Sequence, residues 1–280
     1  MTNDWLTNFI KSALQEDIGD GDHSSLACIP QNARGKAVLL AKETGIIAGV
    51  EIAVFIFKHV EPTSKVNVLI QDGTVVYQGD KVFEVEASVH TLLKAERLVL
   101  NIMQRLSGVA TKTNQYVRRL EGLQTKVLDT RKTTPGMRLL EKQAVLIGGG
   151  TNHRIGLYDM IMLKDNHIDF AGGIENAITR TKSYLKDQNK DLRIEVEVRN
   201  FEELNEVLRV GGIDRIMLDN FTVEDTKEAV AIINGAFEIE SSGNITLETI
   251  RDYAETGVDF VSVGALTHQI SSLDLSLKAT

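Results

Sequence analysis

Residues 193–243, with the sequence RIEVEVRNFEELNEVLRVGGIDRIMLDNFTVEDTKEAVAIINGAFEIESSG, contain the pattern that decides the fold. Short apolar runs with polar endings alternate with longer segments in which apolar residues recur at helical spacing. The equivalent ends of four successive runs are Glu197, Asp219, Ser242 and Gly264, which are separated by 22, 23 and 22 residues. This spacing fits a strand, a helix and the next parallel strand, joined by a right-handed crossover. The pattern therefore predicts a repeated βα unit.

Two further runs of the same type, KVLDTRK and MIMLKDN, precede this segment. In an α/β barrel the carboxyl ends of all strands lie on one face, and the loops there form the active site. An open doubly wound sheet also places a site at its strand ends. We favour the barrel because a polar ending follows every run rather than a single switch point. This face is predicted to collect Arg131, Lys132, Lys164, Glu197, Asp219, Ser242 and Gly264.

The first third of the chain is typical of a mixed α+β domain. β-like runs alternate with turns between Lys36 and Val85, and the preceding EDIGDGDHSS is interpreted as a solvated loop that leads into a strand. Residues His90–Leu120 predict a long helix or a helix pair, with Gly108 offering a break.

The charge distribution indicates a small anionic ligand. The chain has a formal net charge of −8, whereas residues 125–165 contain seven Lys or Arg against four Asp or Glu, a local balance of 7 − 4 = +3. A nucleic-acid-binding protein would be expected to carry a broad basic surface, so nucleic acid is disfavoured as a partner. The most apolar run, Gly45–Phe57, is too short to span a membrane. With Cys28 as the single cysteine, no intrachain disulfide can form, and we expect a cytoplasmic protein.

The carboxylates Glu197 and Asp219 end neighbouring predicted strands and allow three interpretations. They suit Mg²⁺ bound together with substrate phosphate oxygens, because Mg²⁺ in enzymes is commonly held by one or two carboxylates. They also suit a general acid and base, although the nearby cations favour the ionised carboxylates. The third interpretation is a buried ion-pair network without a catalytic role.

The cations and glycines at the predicted strand ends suggest further roles. His153 and Arg154 lie in the glycine-rich GGGTNHR and are interpreted as anion-binding groups, since no second histidine stands at a zinc-binding spacing. Lys164 suits either an anion or a Schiff base with a carbonyl substrate. Loops after the last strands of barrel enzymes often hold a phosphate, which suits Ser242-Gly243 and Gly264.

These segments resemble the quinolinate phosphoribosyltransferase family. The resemblance is carried by DTRKTTPG, EKxAV, GGGTNHRIGL and KDNH in this order and spacing, and it continues through EVEV, LDNF, ESSG, YAETGVD and VGALTH. AERLVLNIMQRLSGVAT in the predicted long helix is similar too, so the resemblance covers most of the chain. Two departures are Gln143, where an aromatic residue is expected, and His23, where threonine is expected.

The resemblance implies an N-terminal α/β sandwich domain and an α/β barrel that is not a full eightfold one. We place the first domain at 1–108, with 270–280 as an optional addition, and the barrel at 109–269. The implied reaction joins quinolinate and phosphoribosyl pyrophosphate, with Mg²⁺, to give nicotinate mononucleotide, pyrophosphate and CO₂. The resemblance further implies a homodimer in which Arg97 enters the partner's active site.

The resemblance also assigns roles to individual residues. Lys132, Lys164, Glu197 and Asp219 are the expected catalytic residues, and the two carboxylates are the expected Mg²⁺ ligands, directly or through water. The expected substrate-binding residues are Arg97, Thr130, Arg131, Lys132, His153, Arg154, Lys164, Glu197, Asp219, Ser242, Gly243 and Gly264.

Three other functions stay open from the residues alone. The nearest is a related phosphoribosyltransferase that acts on another acid, such as the molybdenum-associated relatives of the family. A Schiff-base lyase with Lys164 as its nucleophile is a second alternative. The third is a phosphometabolite-binding module without turnover, which would leave the convergence of so many ionisable groups unexplained.

Overall fold

The computed structural model describes residues 3–280, which form two compact units. The first unit comprises the described residues up to 114 together with 134–149 and 268–280, and the second comprises 115–133 and 150–267. Residues 134–149 therefore group with the first unit, although the sequence placed them in the barrel. The proposed domain boundary near residue 108 stays a prediction.

The first unit contains an antiparallel four-stranded sheet, a two-stranded sheet and helices. Its elements are α1 (Asn3–Ile18), α2 (His23–Cys28), β1 (Arg34–Ala41), β2 (Gly45–Ile46), α3 (Val50–Val60), β3 (Lys65–Val68), β4 (Val75–Val76), β5 (Lys81–Ser88), most of α4 (Val89–Arg119), α5 (Arg138–Ile147) and β12 (Leu275–Ala279). The larger sheet has the order β12-β1-β5-β3, and β2 pairs with β4. The strand β12 thus joins the sheet of the first unit from the far end of the sequence.

One local expectation in this unit was wrong, and one open alternative was decided. The EDIGDGDHSS segment is not a loop throughout, because α2 begins at His23 and Asp22 accepts a hydrogen bond from the backbone N–H of Ser25 at the helix start. Of the two forms expected for His90–Leu120, the structure has the single long helix, and Gly108 does not interrupt α4. A Cβ at this position would overlap the backbone oxygen of Ser271, so the glycine permits a close approach of two chain segments.

The second unit contains a sheet of six parallel strands in the order β6-β11-β10-β9-β8-β7. Its elements are β6 (Lys126–Leu128), β7 (Ile161–Leu163), α6 (Asp165–Ala171), α7 (Ile174–Asp187), β8 (Ile194–Val198), α8 (Phe201–Val210), β9 (Arg215–Asp219), α9 (Val223–Ile233), β10 (Glu238–Ser242), α10 (Ile250–Ala254), β11 (Phe260–Ser262) and α11 (Ala265–His268), which ends at the unit boundary. The predicted fold class, an α+β domain followed by an incomplete parallel α/β barrel, is confirmed.

Strand alternation divides the barrel residues into two sets. Successive side chains of a strand point to opposite faces, so Glu195 and Glu197 share one face of β8, and Val196 and Val198 share the other. The same alternation puts Arg215 and Asp219 on one face of β9. Ion pairs of Arg215 with Glu195 and Glu240 show that these charged faces meet. The apolar faces are buried, with Val196, Val198, Ile216 and Leu218 each 0% exposed.

Within residues 3–280, every helix falls short of the length and apolar character that crossing a bilayer requires.

Candidate active site

The carboxyl ends of β7 and β8 bring the first pair of predicted site residues together. Lys164 directly follows β7, and its Nζ lies 2.5 Å from Oε2 of Glu197 in β8. The carboxylate of Glu197 is mostly buried, whereas the lysine side chain is 41% exposed. The backbone N–H of Lys164 donates to Nδ1 of His167, which fixes the start of α6 at the KDNH motif. This pair therefore has a defined position at the edge of the sheet.

Asn220 links the ends of β9 and β10. Its Nδ2 donates to Oδ2 of Asp219 at 2.8 Å, and its backbone N–H donates to the carbonyl of Ser242 at 2.9 Å. Its Oδ1 accepts a hydrogen bond from Nδ2 of Asn244 at 3.2 Å. The φ of Asn220 is +57°, a left-handed conformation that asparagine tolerates better than most residues. Sequence reasoning missed this residue, although an asparagine directly after a strand is a recognisable turn signal.

Gly243 lies against Asn220 with a φ of +101°. A Cβ at Gly243 would overlap Oδ1 of Asn220 and would lie 2.9 Å from its backbone nitrogen. The loop after β10 therefore needs glycine both for its backbone conformation and for this contact. Such a loop leaves backbone N–H groups open to a close approach by an anion.

We expect Gly243→Ala to raise the KM for a phosphate-bearing substrate by about tenfold or more, because the loop must move to admit the methyl group. Steady-state kinetics with each substrate varied in turn would measure the effect. Gly235→Ala is the matched control, since Gly235 also has a positive φ (+74°) but a Cβ there meets no atom within 4 Å. Equal effects of the two substitutions would contradict a specific role for Gly243.

The loop after β6 carries Thr130, Arg131 and Lys132. The hydroxyl of Thr130 accepts a hydrogen bond from the backbone N–H of Lys132 at 3.1 Å, so this hydroxyl shapes the turn. Thr267 donates from Oγ1 to the carbonyl of Lys132 at 2.8 Å and holds the loop to the region after β11. The side chain of Lys132 is exposed, and that of Arg131 is half-buried. Gly264 belongs to the same region, where its carbonyl accepts from Oγ1 of Thr267 at 3.3 Å.

Arg131 and Arg154 form a pair of neighbouring cations. Burial lowers the pKa of the Arg154 guanidinium, and the positive charge of Arg131 lowers it further, which means that the two charges repel each other. Nη1 of Arg154 donates to the carbonyl of Met160 at 3.4 Å. Two adjacent guanidinium groups suit a ligand with more than one negative charge, since each can bind a carboxylate through a forked pair of donors.

The ring of His153 is directed into the barrel. Nε2 lies 3.0 Å from Oε2 of Glu195 and 3.2 Å from Oε2 of Glu240, and Nδ1 lies 2.6 Å from the backbone nitrogen of Arg154. Desolvation lowers the pKa of the imidazole, but hydrogen bonds and charges from the two glutamates outweigh it and raise the pKa to about 9. Both ring nitrogens therefore face protein groups in this structure. The predicted contact of His153 with substrate stays untested.

Arg97 lies apart from the strand ends in the sequence, on α4 in the first unit, where its side chain is exposed. Among the residues that sequence reasoning missed are Asn220 and the buried glutamates Glu195 and Glu240. The alternation of EVEV offered a signal for Glu195, because it puts this residue on the same face as Glu197.

A barrel of parallel strands with cations, carboxylates and glycines at its carboxyl edge defines an enzyme that acts on small anionic substrates. Two family models match the chain: "Quinolinate phosphoribosyl transferase, N-terminal domain" over residues 22–107 and "Quinolinate phosphoribosyl transferase, C-terminal domain" over residues 109–278. The chain belongs to the quinolinate phosphoribosyltransferase family.

Individual relatives agree with this assignment. The chain is 48% identical to the chloroplastic nicotinate-nucleotide pyrophosphorylase [carboxylating] of Arabidopsis thaliana, over 98% of this chain and 82% of that protein. It is 40% identical to the probable nicotinate-nucleotide pyrophosphorylase [carboxylating] of Bacillus subtilis, over 98% of this chain and 93% of that protein. The crystal structure of NadC from Streptococcus pyogenes aligns with a TM-score of 0.94 and 40% identity, over 100% of this chain and 98% of that one.

Proposed function

We propose that this chain transfers the phosphoribosyl group of phosphoribosyl pyrophosphate to quinolinate and releases pyrophosphate and CO₂, giving nicotinate mononucleotide for NAD biosynthesis. The observation that carries the proposal is the match to this family over residues 22–107 and 109–278, together with the Lys164–Glu197 ion pair at the strand ends. Quinolinate is a dicarboxylate, and a pair of guanidinium groups supplies the charge-assisted donors that it requires. Lys132 and Lys164 add positive charge at the same strand ends.

The carboxylates have a different task in this mechanism. The ring nitrogen of quinolinate attacks ribose C1, the N–C1 bond forms, and the C1–O bond to pyrophosphate breaks with its electron pair leaving on the oxygen. Positive charge develops on the ribose during this step, and the negative charges of Glu197 and Asp219 stabilise it. Lys164 holds Glu197 in place through their ion pair.

The decarboxylation needs no protein nucleophile. The alkylated ring nitrogen carries a positive charge and accepts electron density when the C2–carboxylate bond breaks. CO₂ leaves, and a proton replaces it at C2. The cationic side chains orient the two carboxylates of the substrate and prevent it from binding in other orientations.

The carboxylate oxygens of Glu197 and Asp219 fit Mg²⁺ by donor chemistry, because hard cations prefer oxygen ligands. Oε2 of Glu197 already contacts Lys164, and Oδ2 of Asp219 accepts from Asn220, so both side chains are held at the strand ends. When bound there with the substrate, Mg²⁺ would supply positive charge to the pyrophosphate oxygens.

Removal of divalent metal is expected to lower the rate at least about tenfold, since the charge of the leaving pyrophosphate would then lack its counterion. Turnover would be measured after chelation with EDTA and again after addition of Mg²⁺ in excess. Asp219→Asn should raise the Mg²⁺ concentration that gives half of the maximal rate. Full turnover in EDTA would contradict the metal requirement.

The proposal includes a homodimer in which Arg97 of the partner subunit completes each site. An exposed arginine on a long helix can reach a second copy of the chain. In the proposed dimer, this side chain would bind substrate in the partner's site. A cytoplasmic location also stays a prediction, since the Arabidopsis relative is named chloroplastic.

Subunit mixing tests the role of Arg97. Arg97→Ala and Arg131→Ala should each be nearly inactive alone, because each removes a cation from every site. After the two variants are unfolded and refolded together, half of the dimers are mixed, and each mixed dimer has one intact site. Activity should therefore return to about a quarter of the wild-type value. If Arg97 acts within its own chain, mixing restores nothing.

The reaction itself is tested with quinolinate labelled at its 2-carboxylate, phosphoribosyl pyrophosphate and Mg²⁺. Labelled CO₂ and nicotinate mononucleotide should appear in equal amounts. If the folded wild-type protein yields neither, the substrate is another acid, and the related phosphoribosyltransferase becomes the better assignment. Trapping of a carbonyl substrate on Lys164 by borohydride would instead indicate a lyase.

A further inference from the structure

A charged cluster inside the barrel has no part in the proposed chemistry. It consists of His153, Glu195, Arg215 and Glu240, which we call the interior cluster. Both glutamates are 0% exposed, and His153 and Arg215 are 7% and 6% exposed. Nη1 of Arg215 lies 3.1 Å from Oε2 of Glu240 and 4.0 Å from Oε2 of Glu195. Two cationic side chains thus face two buried carboxylates.

Stability alone gives a poor account of the interior cluster. Taking charged groups out of water is costly, and replacing a buried ion pair with well-packed apolar residues is often neutral or stabilising. Barrel interiors are ordinarily filled by branched apolar side chains. A buried network of this kind therefore suggests that the positions of its members matter.

The interior cluster is joined to the site by short covalent and hydrogen-bonded paths. Glu195 is two residues before Glu197 on the same face of β8, so it lies one layer beneath the strand end. His153 directly precedes Arg154, and its Nδ1 lies 2.6 Å from the backbone nitrogen of Arg154. From the other side, Oδ1 of the fully buried Asp129 accepts the backbone N–H of His153 at 2.8 Å. The ring and backbone of His153 are thus fixed independently.

A metal ion is the first alternative for this cluster. His153, Glu195 and Glu240 offer one ligand atom each within 4.8 Å of one another. However, the guanidinium of Arg215 already lies against Glu240, and a divalent cation would have to sit close to this positive charge. The contacts favour a network of protein groups over a metal site.

We infer that Glu195 and Glu240 are positioning residues that hold the His153 ring from below, which fixes the main chain that His153 shares with Arg154 and so aims the Arg154 guanidinium at a substrate carboxylate. This inference rests on the proposed function. It assigns His153 a supporting role instead of direct contact with quinolinate. A displacement of Arg154 by about an ångström would weaken quinolinate binding strongly, because forked hydrogen bonds depend on geometry.

The test compares Glu240→Gln and Glu195→Gln with Glu238→Gln. Glu238 is the matched control, since its Oε2 contacts Arg215 at 3.0 Å and Arg193 at 2.6 Å, and it lies on the same strand as Glu240. The KM for quinolinate, the KM for phosphoribosyl pyrophosphate and kcat would be measured separately, with thermal unfolding as a check on folding. Wild-type turnover of quinolinate, measured first, tests the proposed function on its own.

The two interior variants should raise the KM for quinolinate by about tenfold or more and leave the KM for phosphoribosyl pyrophosphate within about twofold. Glu238→Gln should keep the wild-type KM for quinolinate. Unchanged KM values in folded Glu240→Gln and Glu195→Gln would overturn the inference. An equal rise in Glu238→Gln would overturn it too, since the effect would then come from Arg215 and not from His153.

A measurement on the wild-type protein covers the case in which both interior variants fail to fold. The chain has six histidines, so ring ¹⁵N signals of ¹⁵N-histidine-labelled protein can be assigned by replacing the other five singly. The His153 signal should shift when quinolinate saturates the enzyme and stay in place with inorganic phosphate. A signal that is indifferent to quinolinate would overturn the inference.

Discussion

Arg131→Ala is expected to lower kcat/KM for quinolinate by about 30- to 900-fold, which corresponds to about 2–4 kcal/mol of lost transition-state stabilisation. The substitution removes one of two neighbouring guanidinium groups and leaves a substrate carboxylate without its charged donor. The remaining Arg154 is relieved of a repulsive neighbour, which does not replace the missing hydrogen bonds. Initial rates at several quinolinate concentrations, with phosphoribosyl pyrophosphate in excess, would measure the loss.

Arg180→Ala is the control for this experiment. Arg180 lies on α7 with an exposed side chain, so its removal changes the net charge equally without touching the strand ends. Wild-type kinetics are expected. Near-normal turnover in Arg131→Ala would refute its assignment as a substrate ligand.

Glu197→Gln is expected to lower kcat by about 100- to 1,000-fold, the range observed when a group that stabilises transition-state charge is removed. The amide keeps the shape of the side chain but no longer opposes the positive charge that develops on the ribose. It also deprives Lys164 of its ion-pair partner at 2.5 Å. Single-turnover rates at saturating substrates would separate this chemical effect from binding.

The control for Glu197 is Glu202→Gln at the exposed start of α8, which removes the same charge five residues away. This variant should keep the wild-type kcat. A large rise in KM with unchanged kcat in Glu197→Gln would show that Glu197 binds substrate without stabilising the transition state.

The barrel was predictable because its signal is periodic. The spacing of Glu197, Asp219, Ser242 and Gly264 repeats a unit of fixed length, and parallel pairing then places the strand ends on one edge. Lys164 and Glu197 were expected on this edge, and their ion pair places them side by side there. Predictions of this kind need only the repeat length and the direction of the chain.

The interior cluster was beyond such reasoning because it depends on contacts across the barrel. The sequence shows that Glu195 alternates with valine, but only the fold shows that it meets Glu240 and the ring of His153. His153 was therefore interpreted as an anion-binding group from its neighbours in the sequence. The sequence left a long helix or a helix pair open at Gly108 for a related reason, since this glycine permits a close approach to Ser271 far along the chain.

The pairing of β12 with β1 has a consequence for how the protein is made. The N-terminal strands leave the ribosome first. One edge of β1 can pair only with residues 275–279, which are synthesised after the whole barrel. During this interval β1 presents unpaired backbone groups that can recruit another chain. Nascent chains arrested before residue 275 should therefore be more prone to aggregate than the full-length chain. Pairing of β12 with β1 covers this edge of the first unit.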